Sequence, residues 1–250
     1  MKLRSLTFFL WLTALASAPA DPVRHFGAEP FRPFSYAQGG HAGGPVPEVL
    51  QAVCKAAGLT CEVTVQPWRR DLAMAEQGGL DGLALVLPVV ERQAKFVLTE
   101  PIVRSTFTFF ALRDSGFHYR SPDDLNGMTI AVYGPSGASA TLSDLIGGTT
   151  GRMEMEVSNE MAAQELIAGR YGHSSALLAT REVVHDLIRE HHLADLAEAG
   201  AAKTIDYCIA LSRERFSPTQ AMQFTQAVHR LKQDGTLKAI LQKYGMEAAP

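Results

Sequence analysis

Cys54 and Cys61 are the two residues of this 250-residue chain best placed to form a covalent cross-link. Cys54 falls on the apolar stripe of a predicted helix, and Cys61 opens the strand predicted after the following turn. A metal site at this pair is disfavoured, because neither a CxxC spacing nor a histidine partner accompanies it. Cys208 lies in an apolar run between Tyr207 and Ile209, which favours a buried, unreactive thiol over a reactive one.

The N-terminal segment indicates the compartment, and so the redox conditions, in which these cysteines are found. Basic residues precede an apolar run over residues 6–16, and a cleavage site of small residues ends at Ala20. The run is shorter than the roughly 20 apolar residues of a membrane-spanning helix, and no cysteine follows it to carry a lipid. We therefore expect residues 1–20 to be a signal peptide that is cleaved near Ala20. Three cysteines in an exported chain predict one disulfide, Cys54 to Cys61, and one remaining thiol.

Composition and motifs disfavour several function classes for the mature chain. Without residues 1–20 it has 230 residues, enough for one large domain or two small ones. It keeps 26 acidic and 21 basic residues, a formal charge of −5, which disfavours nucleic acid and anionic membranes as partners. The sequence shows no Ser/His/Asp order, no Walker-type phosphate loop and no GxGxxG after a strand. His185, His191 and His192 lack a carboxylate-supported pair at i, i+4, so a solvated helix face is favoured over a metal site.

Helices and strands alternate along the mature chain. Apolar residues at helical spacing predict helices over residues 46–57, 68–77, 138–146, 161–168, 182–190, 217–233 and 237–244. Strand patterns cover residues 61–66, 80–87, 106–112, 128–133 and 208–211. This alternation predicts βαβ units with mostly parallel sheets, and a second unit begins near residue 114. In it, Ser136, Gly137 and Ala138 open a helix whose free backbone N–H groups suit an anion, although a plain turn uses the same residue types.

Six features occur in a fixed order along the mature chain. They are residues 31–36 (FRPFSY), the Cys54/Cys61 pair, residues 66–70 (QPWRR), residues 80–102 (with LDG, ER and LTEPI), residues 121–132 (SPDDLNGMTIAV) and residues 231–245 (LKQDGT and KYG). Together they resemble family 3 of the bacterial extracellular solute-binding proteins, the periplasmic receptors of polar amino acid ABC transporters. The resemblance covers essentially the whole mature chain.

The resemblance implies a fold and a function. The fold is α/β, the type II periplasmic binding protein fold, with two lobes that are each a mostly parallel sheet flanked by helices. Lobe 1 would take residues 21–112 and 207–250, lobe 2 residues 113–206, and a ligand cleft would close between them by hinge bending. The expected protein is a periplasmic monomer without a cofactor. It would capture a small carboxylate-bearing solute, an amino acid or a related organic acid, and deliver it to the membrane permease of an ABC importer.

The resemblance also implies a set of ligand-binding residues. Arg92 lies at the family's Glu-Arg position, where an arginine grips the ligand carboxylate, and a guanidinium offers two oxygens a planar fork of donors. A surface ion pair with Glu91 or Glu100 is the alternative. Trp68 and Phe31 match positions that stack against the ligand, with core packing as the alternative. The implied set is completed by Tyr36, a neighbour of Phe31, and by Ser136, Gly137 and Ala138 at the helix N-terminus of lobe 2.

The sequence departs from the family pattern where ligand amines are bound. Members that bind amino acids carry an aspartate just after an Ala-Gly-Arg stretch, but here residues 168–170 are followed by no carboxylate before Glu182. Apolar residues 85–87 also replace the Ser/Thr positions expected before the arginine. A buried ammonium without a carboxylate partner is costly. A carboxylate without an amine, or another anion, is therefore as good a candidate as an α-amino acid, and Arg181 is then a second anchor or else a solvated residue.

Two other functions stay open. A protein that senses a ligand and docks to a periplasmic or membrane receptor would have the same sequence features as a transport receptor. A lyase similar to periplasmic cyclohexadienyl dehydratases would need a general acid with a raised pKa in the cleft. Because the acidic position expected in lobe 2 is absent, the sequence favours a binding protein over an enzyme.

Overall fold

The computed structural model describes residues 22–250, so the predicted signal peptide, residues 1–20, lies outside the described part of the chain. The strands are β1 Arg24–Ala28, β2 Tyr36–Gln38, β3 His41–Gly43, β4 Cys61–Val65, β5 Gly82–Val86, β6 Phe96–Leu98, β7 Val103–Leu112, β8 Thr129–Tyr133, β9 Arg152–Glu156, β10 Ser175–Thr180, β11 Leu196–Ser212 and β12 Glu247–Ala248. The α-helices are α1 Pro45–Ala56, α2 Trp68–Glu76, α3 Val90–Gln93, α4 Gly137–Ile146, α5 Asn159–Ile167, α6 Arg181–Glu190, α7 Pro218–Gln233 and α8 Thr236–Gln242. A short 3-10 helix covers Pro122–Leu125. Among residues 22–250, no helix is long and apolar enough to cross a bilayer.

Two groups of parallel strands build the main sheet. The first strand group is β4, β1 and β5, and the second strand group is β10, β8 and β9, each in that spatial order. Between the groups lie β7 and β11, which pair antiparallel with each other. Strand β11 also pairs antiparallel with β5, and β7 with β10. The two strand groups are therefore connected through β7 and β11 alone within this sheet.

Helices pack on both strand groups and bury a core on each. On the first group, Phe26 of β1 lies against Phe216 and Phe224, with ring centroids 6.4 and 5.9 Å away. On the second group, Ile130 of β8 and Leu142 of α4 are fully buried. Strand β8 is apolar throughout its middle because both of its faces are covered, which is typical of a parallel strand between helices.

Strand β11 is much longer than the four residues that the sequence predicts for it. Its first half is rich in alanine and glycine and lacks the alternation of a strand, but β7 supplies a partner from Leu196 to Tyr207. The pairing shifts register on either side of Gly200, whose φ of 130° and close approach to the Tyr119 carbonyl leave no room for a Cβ. The lobe limits predicted at residues 112 and 207 fall in β7 and β11 and stay a prediction.

The structure joins Cys54, at the end of α1, to Cys61, at the start of β4, by a disulfide, as the sequence predicts. Cys208 of β11 is a free, fully buried cysteine. Burial raises the pKa of its thiol to about 12, so little of the reactive thiolate is present at neutral pH.

Removing this disulfide is expected to lower the free energy of unfolding by about 2–3 kcal/mol, because the cross-link restricts the unfolded chain over a short loop. The Cys54→Ala/Cys61→Ala double variant should show this loss in urea unfolding followed by circular dichroism. The control Cys208→Ala leaves the cross-link intact and should lose about 1 kcal/mol or less. Equal losses in the two variants would contradict a stabilising role for the disulfide.

Candidate functional site

A cavity lies between the first and the second strand group. Its volume is about 80 Å3. On the same measure one water needs roughly 10–15 Å3, so the cavity has room for a small solute of several non-hydrogen atoms. The residues that line it are Glu29, Phe31, Ser35, Trp68, Leu85, Val86, Leu87, Arg92, Phe107, Tyr133, Ser136, Gly137, Ala138, Asn159, Thr180 and Tyr207.

The carboxyl ends of four parallel strands position much of this lining. Glu29 follows β1, Leu87 follows β5, Tyr133 is the last residue of β8, and Thr180 is the last residue of β10. In open α/β sheets, ligands bind outside the carboxyl ends of the strands. Tyr207 enters from β11, and its hydroxyl lies 3.1 Å from the Thr180 hydroxyl. The lining therefore combines both strand groups with one of the strands that connect them.

Arg92 is the cationic residue of the cavity lining. One guanidinium nitrogen donates to the backbone carbonyl of Leu87 at 2.6 Å, and the guanidinium carbon lies 5.1 Å from the centre of the Trp68 ring. No side-chain carboxylate of residues 22–250 forms an ion pair with it: Glu100 lies instead 2.8 Å from His229 and 3.6 Å from Lys232. Burial lowers the pKa of Arg92, yet a guanidinium in a protein remains charged. Its remaining donors are therefore free to bind an anion in the cavity.

Aromatic rings form one wall of the cavity. Phe31 stacks on Phe34 with 5.1 Å between ring centroids and meets the edge of Tyr207 at 6.4 Å. The Ser35 hydroxyl donates to the backbone carbonyl of Glu29 at 2.7 Å and so holds the loop that carries Phe31. Phe34 is fully buried, whereas Phe31 is half-buried and lines the cavity. Phe31 therefore has both a packing role and a surface that faces a solute.

The N-terminus of α4 closes the cavity from the second strand group. Ser136 caps the helix: its hydroxyl donates to the Tyr133 carbonyl at 2.6 Å and accepts from the Ser139 N–H at 3.2 Å. The next two residues, Gly137 and Ala138, keep backbone N–H groups without a partner in the described chain. The Leu87 side chain packs so closely on Gly137 that a Cβ there would overlap it. The two strand groups are thus in direct contact across the cavity.

Two residues of the predicted set lie outside the cavity lining. Tyr36 is in β2, where the Arg32 guanidinium covers its ring at 4.1 Å, and it lines a separate surface groove. Arg181 is exposed at the start of α6 and donates to Glu198 at 2.8 Å. The structure brings together the other six, namely Arg92, Trp68, Phe31, Ser136, Gly137 and Ala138.

Glu29 is a lining residue that sequence reasoning did not select. Burial raises the pKa of its carboxyl to about 7, the nearby Tyr133 hydroxyl lowers this pKa in part, and the negative charge of Asp71 raises it further. At neutral pH the carboxyl is therefore close to half ionised. A sequence signal does exist, because an acidic residue directly after a parallel strand lies where ligands bind.

Asp71 of α2 is a second buried carboxyl, behind Glu29. It packs against the backbone of Gly27 and accepts a hydrogen bond from Gln66, while its second oxygen has no partner in the described chain. Burial raises its pKa to about 6. Asp71 is not part of the cavity lining, but its negative charge contributes to the raised pKa of Glu29.

These two carboxyls are expected to make the protein less stable as pH rises. A carboxyl with a raised folded-state pKa stabilises the fold at low pH, and that contribution is lost as pH rises through the folded-state value. Between pH 5 and pH 8, Glu29 and Asp71 together should lower the free energy of unfolding by about 2–4 kcal/mol. Urea unfolding at several pH values measures the slope, and Glu29→Gln should flatten more than half of it. A slope unchanged by that substitution would show that Glu29 titrates normally.

The chain is similar in sequence to one protein family and in fold to several solved structures. A family model described as bacterial extracellular solute-binding proteins, family 3, matches residues 25–247. A solved histidine kinase sensor domain with similarity to periplasmic binding proteins has a TM-score of 0.79 at 19% identity and covers 91% of this chain and 98% of that chain. The arginine-, lysine-, histidine-binding protein ArtJ of Geobacillus stearothermophilus has a TM-score of 0.74 at 21% identity, with 90% and 95% covered. The ancestral amino acid-binding protein AncCDT-1, a precursor of cyclohexadienyl dehydratase, has a TM-score of 0.72 at 18% identity, with 88% and 94% covered.

No curated protein sequence gives a significant match. The solved structures are distant in sequence and show the fold, which is the two-lobe α/β fold of periplasmic binding proteins and confirms the predicted fold class. The family match extends over nearly all of the described residues. The chain therefore belongs to the bacterial extracellular solute-binding proteins of family 3, as its ordered sequence features predict.

Proposed function

We propose that this chain is a periplasmic receptor that captures a small carboxylate-bearing solute, an amino acid or a related organic acid, and delivers it to an ABC importer. The observation that carries the proposal is the free guanidinium of Arg92 in a cavity between the two strand groups. Charge-assisted, bidentate hydrogen bonds make arginine the side chain best suited to a carboxylate. The family match and the amino acid-binding relatives support the same solute class.

The remaining lining gives each part of such a solute a partner. The free N–H groups of Gly137 and Ala138 suit a carboxylate oxygen from the side opposite Arg92. Trp68 and Phe31 offer aromatic faces to an apolar segment. Closure of the two lobes by bending in β7 and β11 would bring these groups together around the solute. The close approach of Leu87 to Gly137 across the cavity supports this part of the proposal.

A second function is favoured by one comparison. The histidine kinase sensor domain has a TM-score of 0.79, higher than those of ArtJ and AncCDT-1. A receptor that reports the same solute to a membrane partner without importing it would use an identical cavity. Deleting the gene and measuring uptake of the identified solute separates these functions, because only an import receptor is needed for uptake.

A thermal-shift screen of the mature protein tests the proposed solute class. Amino acids, their deaminated analogues, dicarboxylates and uncharged sugars form the panel. A ligand at 100 times its Kd adds about 2.7 kcal/mol to the stability of the folded state, which raises the Tm of a domain of this size by about 5–10 °C. We expect such a shift for at least one carboxylate and none for the sugars. A shift with sugars alone would contradict the proposed function.

A further inference from the structure

The cavity has one positive and one acidic side chain. Arg92 enters from the segment after β5, and Glu29 follows β1 in the same strand group. Arg92 donates to Leu87 and keeps further donors for an anion. No arginine, lysine or histidine among residues 22–250 forms an ion pair with Glu29. The ionised Glu29 carboxylate therefore has no cation of this part of the chain to neutralise it.

The side chains around Glu29 also favour binding of a cation beside its carboxylate. Tyr133, the last residue of β8, lines the cavity together with Glu29, and the Asp71 carboxyl of α2 adds negative potential near Glu29. The negative charge of Glu29 raises the pKa of Tyr207 of β11, and the positive charge of Arg92 lowers it. The exposed Arg69 of α2 lowers the pKa of Tyr133 but forms no ion pair with Glu29. Glu29 therefore shares the cavity lining with Tyr133 and Tyr207, and no side chain of residues 22–250 forms an ion pair with it.

We propose that Glu29 is the specificity-determining residue of the cavity, and that its carboxylate binds the ammonium group of a ligand whose carboxylate is bound by Arg92. The inference rests on the proposed function and narrows its solute class to compounds that carry both groups. Glu29, which follows β1, then takes the role of the amine-binding carboxylate that this chain lacks after residues 168–170. A ligand ammonium bound beside Glu29 and Tyr133 would form an ion pair with the Glu29 carboxylate and would not be buried as an unpaired charge.

The rest of the lining restricts the remainder of the ligand. Five residues of the lining offer carbon surface, namely Phe31, Trp68, Leu85, Leu87 and Phe107. A charged ligand side chain would lose its hydration without a charged partner, because Arg92 and Glu29, the charged residues of the lining, are occupied by the carboxylate and the ammonium. An amino acid with an apolar side chain is therefore the ligand that this lining suits.

Binding of such a ligand releases a proton. In the free protein part of the Glu29 population is protonated at neutral pH. The ammonium stabilises the ionised carboxylate, so the Glu29 O–H bond breaks and its proton passes to the solvent. Affinity for the ammonium ligand should therefore fall as pH decreases, by about tenfold from pH 8 to pH 6. A ligand that has a carboxylate but no amine should show the opposite slope, because the protonated Glu29 can donate to it.

Matched ligand pairs that differ only in the amino group test this inference. We name L-valine with 3-methylbutanoate, L-leucine with 4-methylpentanoate, and L-phenylalanine with 3-phenylpropanoate. Isothermal titration calorimetry of the mature protein at pH 6, 7 and 8 gives each affinity. Titration at pH 7 in phosphate and in Tris gives the number of protons released, because the two buffers differ in ionisation enthalpy. The variant Glu29→Gln keeps the shape of the protonated side chain but cannot ionise, and Glu62→Gln, at an exposed carboxylate, is the matched control.

We expect the amino member of at least one pair to bind at least tenfold more tightly than its partner at pH 8, with about half a proton released at pH 7. Glu29→Gln should remove this preference and the pH slope, whereas Glu62→Gln should keep both. Equal binding of the two members, or tighter binding of the acid in both wild type and Glu29→Gln, would overturn the inference and leave the proposed function intact. Binding of neither member of any pair, together with no carboxylate shift in the wider screen, would overturn the proposed function itself.

Discussion

Arg92→Ala is expected to weaken binding of the carboxylate that gives the largest thermal shift by about a hundredfold. That loss corresponds to about 2.7 kcal/mol, the size expected when a charge-assisted hydrogen-bonded pair loses one partner. The Arg92 side chain makes one hydrogen bond within the described chain, to Leu87, and packs on Trp68. Its removal should therefore affect ligand affinity far more than stability. Calorimetric titration gives the affinity, and the Tm of the ligand-free variant shows that it folds.

Two further variants make the Arg92 result specific. Arg92→Lys keeps the charge but loses the planar fork, so we expect an intermediate loss of affinity. Arg181→Ala removes an exposed guanidinium that pairs with Glu198 outside the cavity, and its affinity should equal that of the wild type. If Arg181→Ala lost the ligand and Arg92→Ala kept it, the anion would bind at α6 and not at the Trp68 side of the cavity.

Gly137→Leu is expected to lower ligand affinity by about a hundredfold because it should prevent closure of the cavity. Gly137 faces the Leu87 side chain across the cavity, and a Cβ at this position would already overlap Leu87 Cδ1. A larger side chain would hold the two strand groups apart and leave the ligand with contacts on one side only. Small-angle scattering with and without ligand measures closure directly: the wild type should contract, and the variant should not.

A matched glycine shows whether the effect is local. Gly148 lies just beyond the other end of α4, where a Cβ would have open space, with no atom of the described chain within 4 Å. Gly148→Leu should therefore close and bind like the wild type. If Gly137→Leu also bound and contracted normally, the contact between Gly137 and Leu87 would not limit closure.

The sequence was sufficient to predict the fold class and most of the helices of the described chain, but fewer than half of its strands. Helical spacing predicted α1, α2, α4, α5, α6, α7 and α8 close to their observed bounds, because each buries one apolar face. The first half of β11 was missed, since its alanine and glycine residues are held by pairing with β7 rather than by their own preference. Pairing between distant segments is not visible in a local pattern.

The candidate site could be predicted only in part. Arg92, Trp68 and Phe31 were selected through the family resemblance, and the structure places all three on one cavity. Glu29 was missed because its importance depends on burial beside Tyr133 and Asp71, which come from other elements. Position after a strand is a weak signal until the neighbouring strands are known.

A crystal structure of the mature protein with the panel compound that gives the largest thermal shift is the most direct test of carboxylate capture between the lobes. We expect the ligand to lie between Trp68 and the N-terminus of α4, with both carboxylate oxygens within hydrogen-bond distance of the Arg92 guanidinium. A ligand bound outside the cavity, or one whose carboxylate points away from Arg92 while the guanidinium still bonds only to Leu87, would contradict it.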